Sequence, residues 1–475
     1  MKIIYHSIRT LWRSQSLTFA RYKYLTTMSA NNARNLEQPN PIIGVCQLTC
    51  TVDKDKNFQI SRSLIERAKN KGAKVIFLPE AVDYIGESKQ QSIDMAEDLD
   101  GITISKYQDL AKQLGVWISV GGFHQKVKDE KRVLNTHVMI DNNGEIKSTY
   151  NKTHLFDLDI PGKVRLCESD YTVPGDTMVS PVETPVGKVG LSICYDLRFP
   201  EMSTALAKEG ADILTYPSAF TVPTGMAHWE VLLRSKAIET QCYVVAAAQT
   251  GKHNEKRQSY GHAMVVDPWG AVIAQCKEGT DVCVAEIDLS YLKSVRANMP
   301  IWSHRRPDLY GEIQNLSKST GCCIDNEEKY QFGHCWIKNN QVFYKTKLSY
   351  AFVNIKPVLP GHVLIASLRP AERLCDLSPT EISDMFNTVQ TVSNVIKKHF
   401  NGTSLTVAVQ DGKDAGQTIK HVHVHILPRR EQDIPKNDDI YHELEKHDKV
   451  MLQSDMRSEE AMEKESSELR KYFNS

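Results

Sequence analysis

The sequence contains no CxxC pair, and its 11 cysteines are scattered singly apart from the adjacent Cys322 and Cys323. A chain this long stabilises itself by burial, so no disulfide framework is expected and a reducing compartment is the better reading. No apolar run approaches the ~18 residues needed to span a bilayer, so no membrane-spanning helix is expected. Net charge is also missing: 58 Lys and Arg balance 58 Asp and Glu. Whole-molecule attraction to nucleic acid or to an anionic membrane surface therefore has no support. No internal repeat or low-complexity block is visible. One further absence is local. No acid precedes Glu37, whereas Lys2, Arg9, Arg13, Arg21, Lys23 and Arg34 lie among several Ser and Thr. That is the composition of a mitochondrial transit peptide, with a disordered tail as the equal alternative. Met28 offers a second start, so residues 1–36 are read as a leader, and the expected compartments are cytoplasm, mitochondrion or both.

What is present points to two enzymes. At 475 residues the chain exceeds the size at which one hydrophobic core keeps growing. Between 41 and 312, short apolar runs alternate with amphipathic stretches. Ile42–Leu48 reads as a strand, Asn57–Lys71 as a helix closed by Gly72, and Val75–Leu78 as the next strand. Ser105–Leu114 reads as a helix ending at Gly115, before the strand Trp117–Val120. Asp141-Asn142-Asn143-Gly144 signals a tight hairpin. Strand–helix pairs follow at Val189–Ile193 and Glu201–Glu209, then at Ile213–Tyr216 and Trp229–Cys242, with a last strand at Val244–Ala248. This alternation argues for a mixed α/β layered sheet. Residues 313–330 are small and polar and read as a linker. In 331–450, Phe343–Ile355 reads as strands, Ser378–Phe400 as a long amphipathic helix, and Leu405–Val409 and His421–Leu427 as further strands. Within the tail 451–475, Ser458–Phe473 reads as a charged helix without a large apolar face.

Three strand ends in the first region carry reactive side chains: Glu80 in Phe77-Leu78-Pro79-Glu80, Lys152 in Tyr150-Asn151-Lys152-Thr153, and Cys194 in Ser192-Ile193-Cys194-Tyr195. Functional residues collect at such ends because the loops there are free to vary. An amide carbon needs a nucleophile better than water, and a thiolate qualifies. A lysine cation and the amides of a helix start after Cys194 would favour the ionised thiol. A carboxylate could move its proton, and the lysine suits the oxyanion. Taken singly, each residue has a bland reading: an inert core thiol, a solvated loop carboxylate, a surface lysine. Spacing alone does not make them meet.

Residues about 41–310 resemble the nitrilase superfamily through FLPE, YNKTHLFD, CYDLRFPE, GHAMVVDPWG and WSHRRPDLY. The resemblance implies an αββα sandwich that pairs into dimers and tetramers, with Glu80 as general base, Lys152 as oxyanion and positioning residue and Cys194 as nucleophile. Glu168 matches a second glutamate that the family often keeps near its lysine. The most similar branch cleaves small carboxamides of dicarboxylic type, such as deaminated glutathione or ω-amides. In it, Arg198 and the loop Tyr216–Phe220 would face a substrate carboxylate. A nitrile substrate is the weaker alternative.

The second constellation is Lys420-His421-Val422-His423-Val424-His425-Ile426-Leu427. On a strand, strict alternation puts the imidazoles on one face and the valines on the other. Alternate residues rise about 7 Å, so His421 and His425 stand roughly 13 Å apart and do not readily share one ion. A row of imidazoles suits an extended anion better than a sphere. The glycine-punctuated loop Gln410–Thr418 could cradle phosphate oxygens, and a neutral central imidazole could attack phosphorus in line. The segment resembles the histidine-triad superfamily, and over about 331–450 its fragile-histidine-triad branch, whose fold is α+β. The resemblance implies His423 as nucleophile, His421 and His425 as partners and His362 as a fourth supporting histidine. Nucleotide contacts are implied at Asn354, Gln410, Gln417, Thr418 and His425. The implied reaction is cleavage of diadenosine triphosphate to AMP and ADP. No cofactor is implied for the amidase; a divalent cation, magnesium or manganese, would accompany the dinucleotide. The region around Gly333–Trp336 departs from the usual start of this branch. The order of the two segments resembles that of invertebrate fusions of these families, which implies a homotetramer. A binding or signalling scaffold, in which the dinucleotide complex matters more than turnover, is the competing reading.

Overall fold

The computed structural model describes residues 39–160, 164–313, 315, 329–449 and 456–473. The expected leader and nearly all of the expected linker lie outside the described residues. Within them, no helix is long and apolar enough to cross a membrane.

The run Ile42–Leu48 is apolar at nearly every position because both of its faces are covered. Ile43 and Val45 enter one hydrophobic cluster and Cys46 and Leu48 another. Ala73–Phe77 behaves alike, with Val75 and Phe77 on one side and Ile76 on the other. These strands join Trp117–Lys126, Val133–Ile140, Ile146–Asn151, Ala248–Lys252, Gln258–Tyr260 and Asp281–Glu286 in one sheet. A second sheet runs in the order Val272–Gln275, Met264–Val266, Tyr243–Ala246, Ile213–Thr215, Gly187–Gly190, Val182–Thr184. The two sheets share the cluster that contains Ile43, Val75, Ile213 and Val244. Helices Lys54–Asn70 and Ile102–Leu114 cover the outer face of the first sheet through Leu64, Ile65, Tyr107 and Leu110. Helices Pro200–Lys208 and Val222–Thr240 cover the second through Met202, Leu206, Trp229 and Leu233. The result is a helix–sheet–sheet–helix sandwich.

Local chemistry sets the boundaries. Asp53 caps its helix by accepting from the Lys56 amide (3.0 Å), and Gly115 ends the next helix in the left-handed region, at φ 65°. Asp141 Oδ1 closes the hairpin by accepting from the amides of Asn143 (2.8 Å) and Glu145 (2.9 Å). Two expectations need correction. The strand expected over Val189–Ile193 leaves the ladder at Gly190, and Leu191–Ile193 run free of it to Cys194. The strand expected over Val244–Ala248 is two strands in different sheets: Tyr243–Ala246 in the second and Ala248–Lys252 in the first. Both halves are buried, so hydrophobicity carries no mark of the crossing.

The second region is an antiparallel sheet in the order Val342–Lys345, Ser349–Val353, Val363–Ser367, His423–Arg429, Ser404–Ala408. Helix Pro379–His399, capped by Ser378 and Glu381, buries Met385, Val389, Val392 and Ile396 against one face. The hairpin of Lys329–Phe332 and Cys335–Lys338 packs on the other, through Tyr330 and Phe332. The tail helix Glu459–Arg470 departs from expectation. Met462 and Leu469 enter the same core as the long helix, while Ser466 and Arg470 donate to the Val342 carbonyl (3.1 and 2.9 Å). Its apolar stripe is two residues wide, one at each end of two turns.

Candidate active sites

Each member of the first constellation reaches the site from a different element. Glu80 follows the strand ending at Phe77, and the next residue, Ala81, is held at φ 53°. Lys152 follows the hairpin strand ending at Asn151. Cys194 begins a five-residue 3₁₀ turn, Cys194–Arg198, at φ 47°. A positive φ at a residue bearing a Cβ costs on the order of 1–3 kcal/mol and persists only where its surroundings enforce it. Here the Cys194 amide donates to the Pro217 carbonyl (2.9 Å). Buried Asp196 fixes the turn by accepting from the Ile193 amide (2.8 Å) and the Tyr150 hydroxyl (2.8 Å). Gly121 makes room for the approach of the layers, since a Cβ there would lie 2.1 Å from the Leu78 carbonyl oxygen and 2.3 Å from Pro217.

The ammonium of Lys152 is buried between two carboxylates. It donates to Glu80 Oε1 at 2.9 Å and to Glu168 at 3.0 and 2.8 Å. Burial alone would lower the lysine, but the charges of Glu168 and Glu80 hold it well above its ordinary value. Burial likewise would raise the Glu80 carboxyl, and the Lys152 charge and hydrogen bond keep it below the usual range. Glu80 also accepts from Asn135 Nδ2 (3.0 Å) and the Ala219 amide (2.9 Å). The Cys194 thiol lies close enough to Glu80 for each group to shift the other. The expectation that the lysine and a helix start would favour a thiolate needs correction. Burial first, and the Glu80 carboxylate second, raise the thiol well above its ordinary value, and Lys152 offsets this only in part. Two carboxylates already share the one ammonium, so the resting thiol keeps its proton. The helix that would have helped begins at Pro200, one turn further on.

These groups lie at one wall of a cavity of about 520 Å³. Arg198 lines it, its guanidinium over the rings of Tyr195 (5.8 Å) and Phe220 (5.6 Å). Of the loop expected to face substrate, Ala219 and Phe220 line the cavity. Tyr216 turns into the core, where its hydroxyl meets Ser203 Oγ (2.7 Å). Asn135 and Gln249 also brace this cluster, and the sequence did not disclose them. Asn135 bridges Glu80 and Glu168, and Gln249 Nε2 donates to the Glu80 carbonyl (3.0 Å). Their partners lie far away in sequence, and no local pattern marks them.

The second constellation needs no such convergence. The strand begins at His423, not at His421. Val422 and Val424 enter the core under the long helix, while the rings of His421 and His423 both contact Phe332 on the opposite face (5.5 and 5.1 Å). The tautomers follow from partners that can play one role only. The His421 carbonyl only accepts, so His423 Nδ1 carries a proton and donates to it (2.7 Å), leaving the lone pair on Nε2. The Val358 amide donates to His362 Nδ1 (3.2 Å), so His362 Nε2–H donates to His425 Nδ1 (3.0 Å). His425 then carries its own proton on Nε2. A ring with a lone pair and a ring with a donor hydrogen stand 4.9 Å apart.

Three residues of this region are held by hydrogen bonds within the fold. The His421 ring is held at both nitrogens, accepting from the Gly333 amide (3.1 Å) and donating to the Ser367 carbonyl (2.8 Å). Burial lowers its pKa and keeps it neutral. It acts on His423 through its carbonyl. Gln417 accepts from the Gly412 amide (2.7 Å) and donates to the Glu372 carbonyl (2.8 Å), so its side chain braces the loop. Asn354 Oδ1 accepts from the Lys356 amide (2.9 Å), and its Nδ2 lies 3.4 Å from His362 Nε2. Gln410 is half-buried, and Thr418 is exposed at the end of the loop.

Residues 42–297 match the family model described as carbon-nitrogen hydrolase, and residues 337–432 that described as HIT domain. The chain is thus a carbon–nitrogen hydrolase of the amidase kind joined to a histidine-triad unit. The nitrilase and fragile histidine triad fusion protein NitFhit of Caenorhabditis elegans is 51% identical over 418 residues, covering 88% of this chain and 93% of that protein. The crystal structure of the C. elegans NitFhit protein superposes with a TM-score of 0.80 at 48% identity, covering 91% of this chain and 99% of that one. The deaminated glutathione amidase of Homo sapiens is 53% identical over 276 residues, covering 58% of this chain and 84% of that protein. This chain belongs to the family of nitrilase and fragile histidine triad fusion proteins.

Proposed function

We propose that the chain is a bifunctional hydrolase. Its first site cleaves small carboxamides of the deaminated-glutathione or ω-amide type. Its second cleaves diadenosine triphosphate to AMP and ADP. The clamp of Lys152 between Glu80 and Glu168 carries the first half of this reading. Glu80 takes the thiol proton as Cys194 Sγ attacks the amide carbon, and Lys152 meets the developing oxyanion. Glu80 then gives that proton to the leaving nitrogen, which departs as the C–N bond breaks and a thioester remains. It next takes a proton from water, whose oxygen displaces the thiolate and releases the acid; the thiolate recovers the proton. Glu168 positions Lys152. The name of the human relative supports the substrate class.

For the second site the tautomer of His423 carries the reading. Nε2 attacks the α-phosphorus, ADP leaves, and water releases AMP from the nucleotidyl-imidazole. His425 Nε2–H donates to a phosphate oxygen, His362 orients His425, and His421 sets the tautomer of His423. Gln410 and Thr418 line the phosphate path, Asn354 and Gln417 hold its walls, and a divalent cation enters on the substrate's phosphates. The working form is a homotetramer of the cytoplasm, the mitochondrion or both. Hydrolysis in ¹⁸O-water tests this half: the label should enter AMP and not ADP. Label in ADP, or tight binding without turnover, would overturn it, the latter in favour of a signalling scaffold. For the first half, an ω-amide left intact by enzyme that turns over the dinucleotide would exclude the amidase assignment.

A further inference from the structure

The cavity at Cys194 holds a histidine with no part in the steps above. His124 belongs to the strand Trp117–Lys126 and lines the cavity, its side chain 13% exposed. A β-bulge aims it there. Val120 pairs with Val138 but Phe123 with Thr136, so the strand gains a residue at Gly121–Gly122. His124 then stands opposite Asn135, whose Nδ2 donates to Glu80 Oε1 (3.0 Å). Directly opposed residues bring their Cβ atoms to about 4.5–5.5 Å, so His124 adjoins the contact of Asn135 with Glu80.

The ring is fixed by stacking and by hydrogen bonds. It lies on Tyr84, with ring centroids 4.4 Å apart at 24°. Its Nδ1 meets both oxygens of the buried Asp83 (3.0 and 3.1 Å). Asp83 also accepts from the amides of Tyr84 and His124 (2.9 Å each). A carboxylate only accepts, so Nδ1 carries the hydrogen and the neutral ring keeps its lone pair on Nε2. With Nδ1 turned to Asp83, Nε2 is the nitrogen left for the cavity.

Deacylation needs a water whose two hydrogens both have acceptors. Glu80 Oε1 accepts from Lys152 and Asn135, and Oε2 from the Ala219 amide, which leaves a lone pair for one of them. Glu168 has none to offer, since its oxygens accept from Lys152, Asn135 and the Phe156 amide. Lys89, Arg165, Arg198 and Arg257, also on the wall, only donate.

We propose that His124 is a further catalytic residue of the amide site, with Asp83 as its positioning residue. Nε2 of His124 accepts one hydrogen of the hydrolytic water while Glu80 accepts the other. The water oxygen bonds to the thioester carbon and one proton passes to Glu80. The C–S bond then breaks, Glu80 returns that proton to the Cys194 sulfur, and the hydrogen held by His124 leaves with the carboxylic acid. Acylation uses no water, so His124 acts on the second half of the cycle alone. This rests on the amidase reading above.

The test times ammonia release from a primary ω-amide by the full-length enzyme and follows the acyl group on Cys194. His124→Phe keeps the stack on Tyr84 and removes the acceptor. Asp83→Asn keeps the ring but offers Nδ1 a donor, which moves the hydrogen to Nε2. Each variant should release the first equivalent of ammonia within about threefold of the wild-type rate. Turnover should then run about 10²-fold slower, with Cys194 acylated at steady state. Hydroxylamine, whose nitrogen attacks the thioester without a bound water, should restore ammonia turnover in both variants and yield the hydroxamate. A merely structural loss would slow the first turnover and ignore hydroxylamine. First-turnover release that falls in step with turnover, no acyl group on Cys194, or unchanged turnover in both variants overturns this inference and leaves the amidase reading standing. A wild type that neither releases ammonia nor carries an acyl group overturns both.

Discussion

The two sites solve the problem of placing reactive groups in opposite ways. At the thiol site, Glu80, Lys152, Glu168 and Cys194 come from separate segments, and a buried charge cluster holds them together. At the histidine site, one short segment, His421 to His425, supplies the row, and hydrogen bonds of fixed direction choose the tautomers. The first is an electrostatic device, in which removing one partner leaves another charge buried and unpaired. The second is a chain of neutral donors and acceptors, in which removing one link changes which nitrogen carries a proton. Each site should therefore be fragile in its own way.

Removing Cys194 or His423 alone should separate the two sites most sharply. Cys194→Ala should lower amide hydrolysis by roughly 10⁴-fold or more and leave dinucleotide turnover within about twofold. His423→Asn should do the reverse while dinucleotide binding persists. Steady-state assays of both reactions on each variant check this, and joint loss would show that the sites are coupled. Glu168→Gln should lower amidase kcat by about 10²-fold, because Lys152 loses one of the two carboxylates that hold it, whereas KM for the amide should change little. His362→Ala should cost the dinucleotide reaction about tenfold, since His425 loses the donor that sets its proton on Nε2. An effect at His362 as large as at His423 would mean that it touches the substrate directly.

A separate effect, on stability and not on turnover, concerns pH. His137 and His253, both in the first region, are driven by burial from 6.5 to about 4. The unfolded chain therefore binds protons that the folded region refuses. Stability from these groups is fully present above pH 6.5 and is lost as pH falls from 6.5 towards 4, on the order of 3 kcal/mol per group. Thermal unfolding followed from pH 7.5 to 4 should show the amidase region weakening through that window. His137→Gln should flatten the trend. A transition temperature for this region that is constant across the window contradicts the argument.

How much was legible in the sequence depends on the kind of signal. The alternation at His421–His425 predicts a shared face from period alone, and the faces fall that way. The start of the strand did not follow, because His421 is drawn off by Gly333 and Ser367, which lie far away in the chain. At the thiol site the motifs named the reactive residues but not their electrostatics. The proton on Cys194 follows from how many carboxylates share Lys152, a count that exists only after folding. Asn135 and Gln249 carried no mark because an amide in a strand looks alike whether or not it braces Glu80. The crossing between sheets at Ala247 and the burial of Met462 and Leu469 were hidden for related reasons: a buried run has no face to read, and a two-residue stripe gives a weak period.

The proposed function requires two covalent intermediates on one chain, at two separate side chains. Rapid quenching with each substrate, followed by mass mapping of the peptides, tests it directly. An amide should leave an acyl group on the peptide containing Cys194, and the dinucleotide an adenylyl group, kept by an alkaline quench, on the peptide containing His423. An adduct on any other residue, or persistence of the acyl group in Cys194→Ala, would contradict the account.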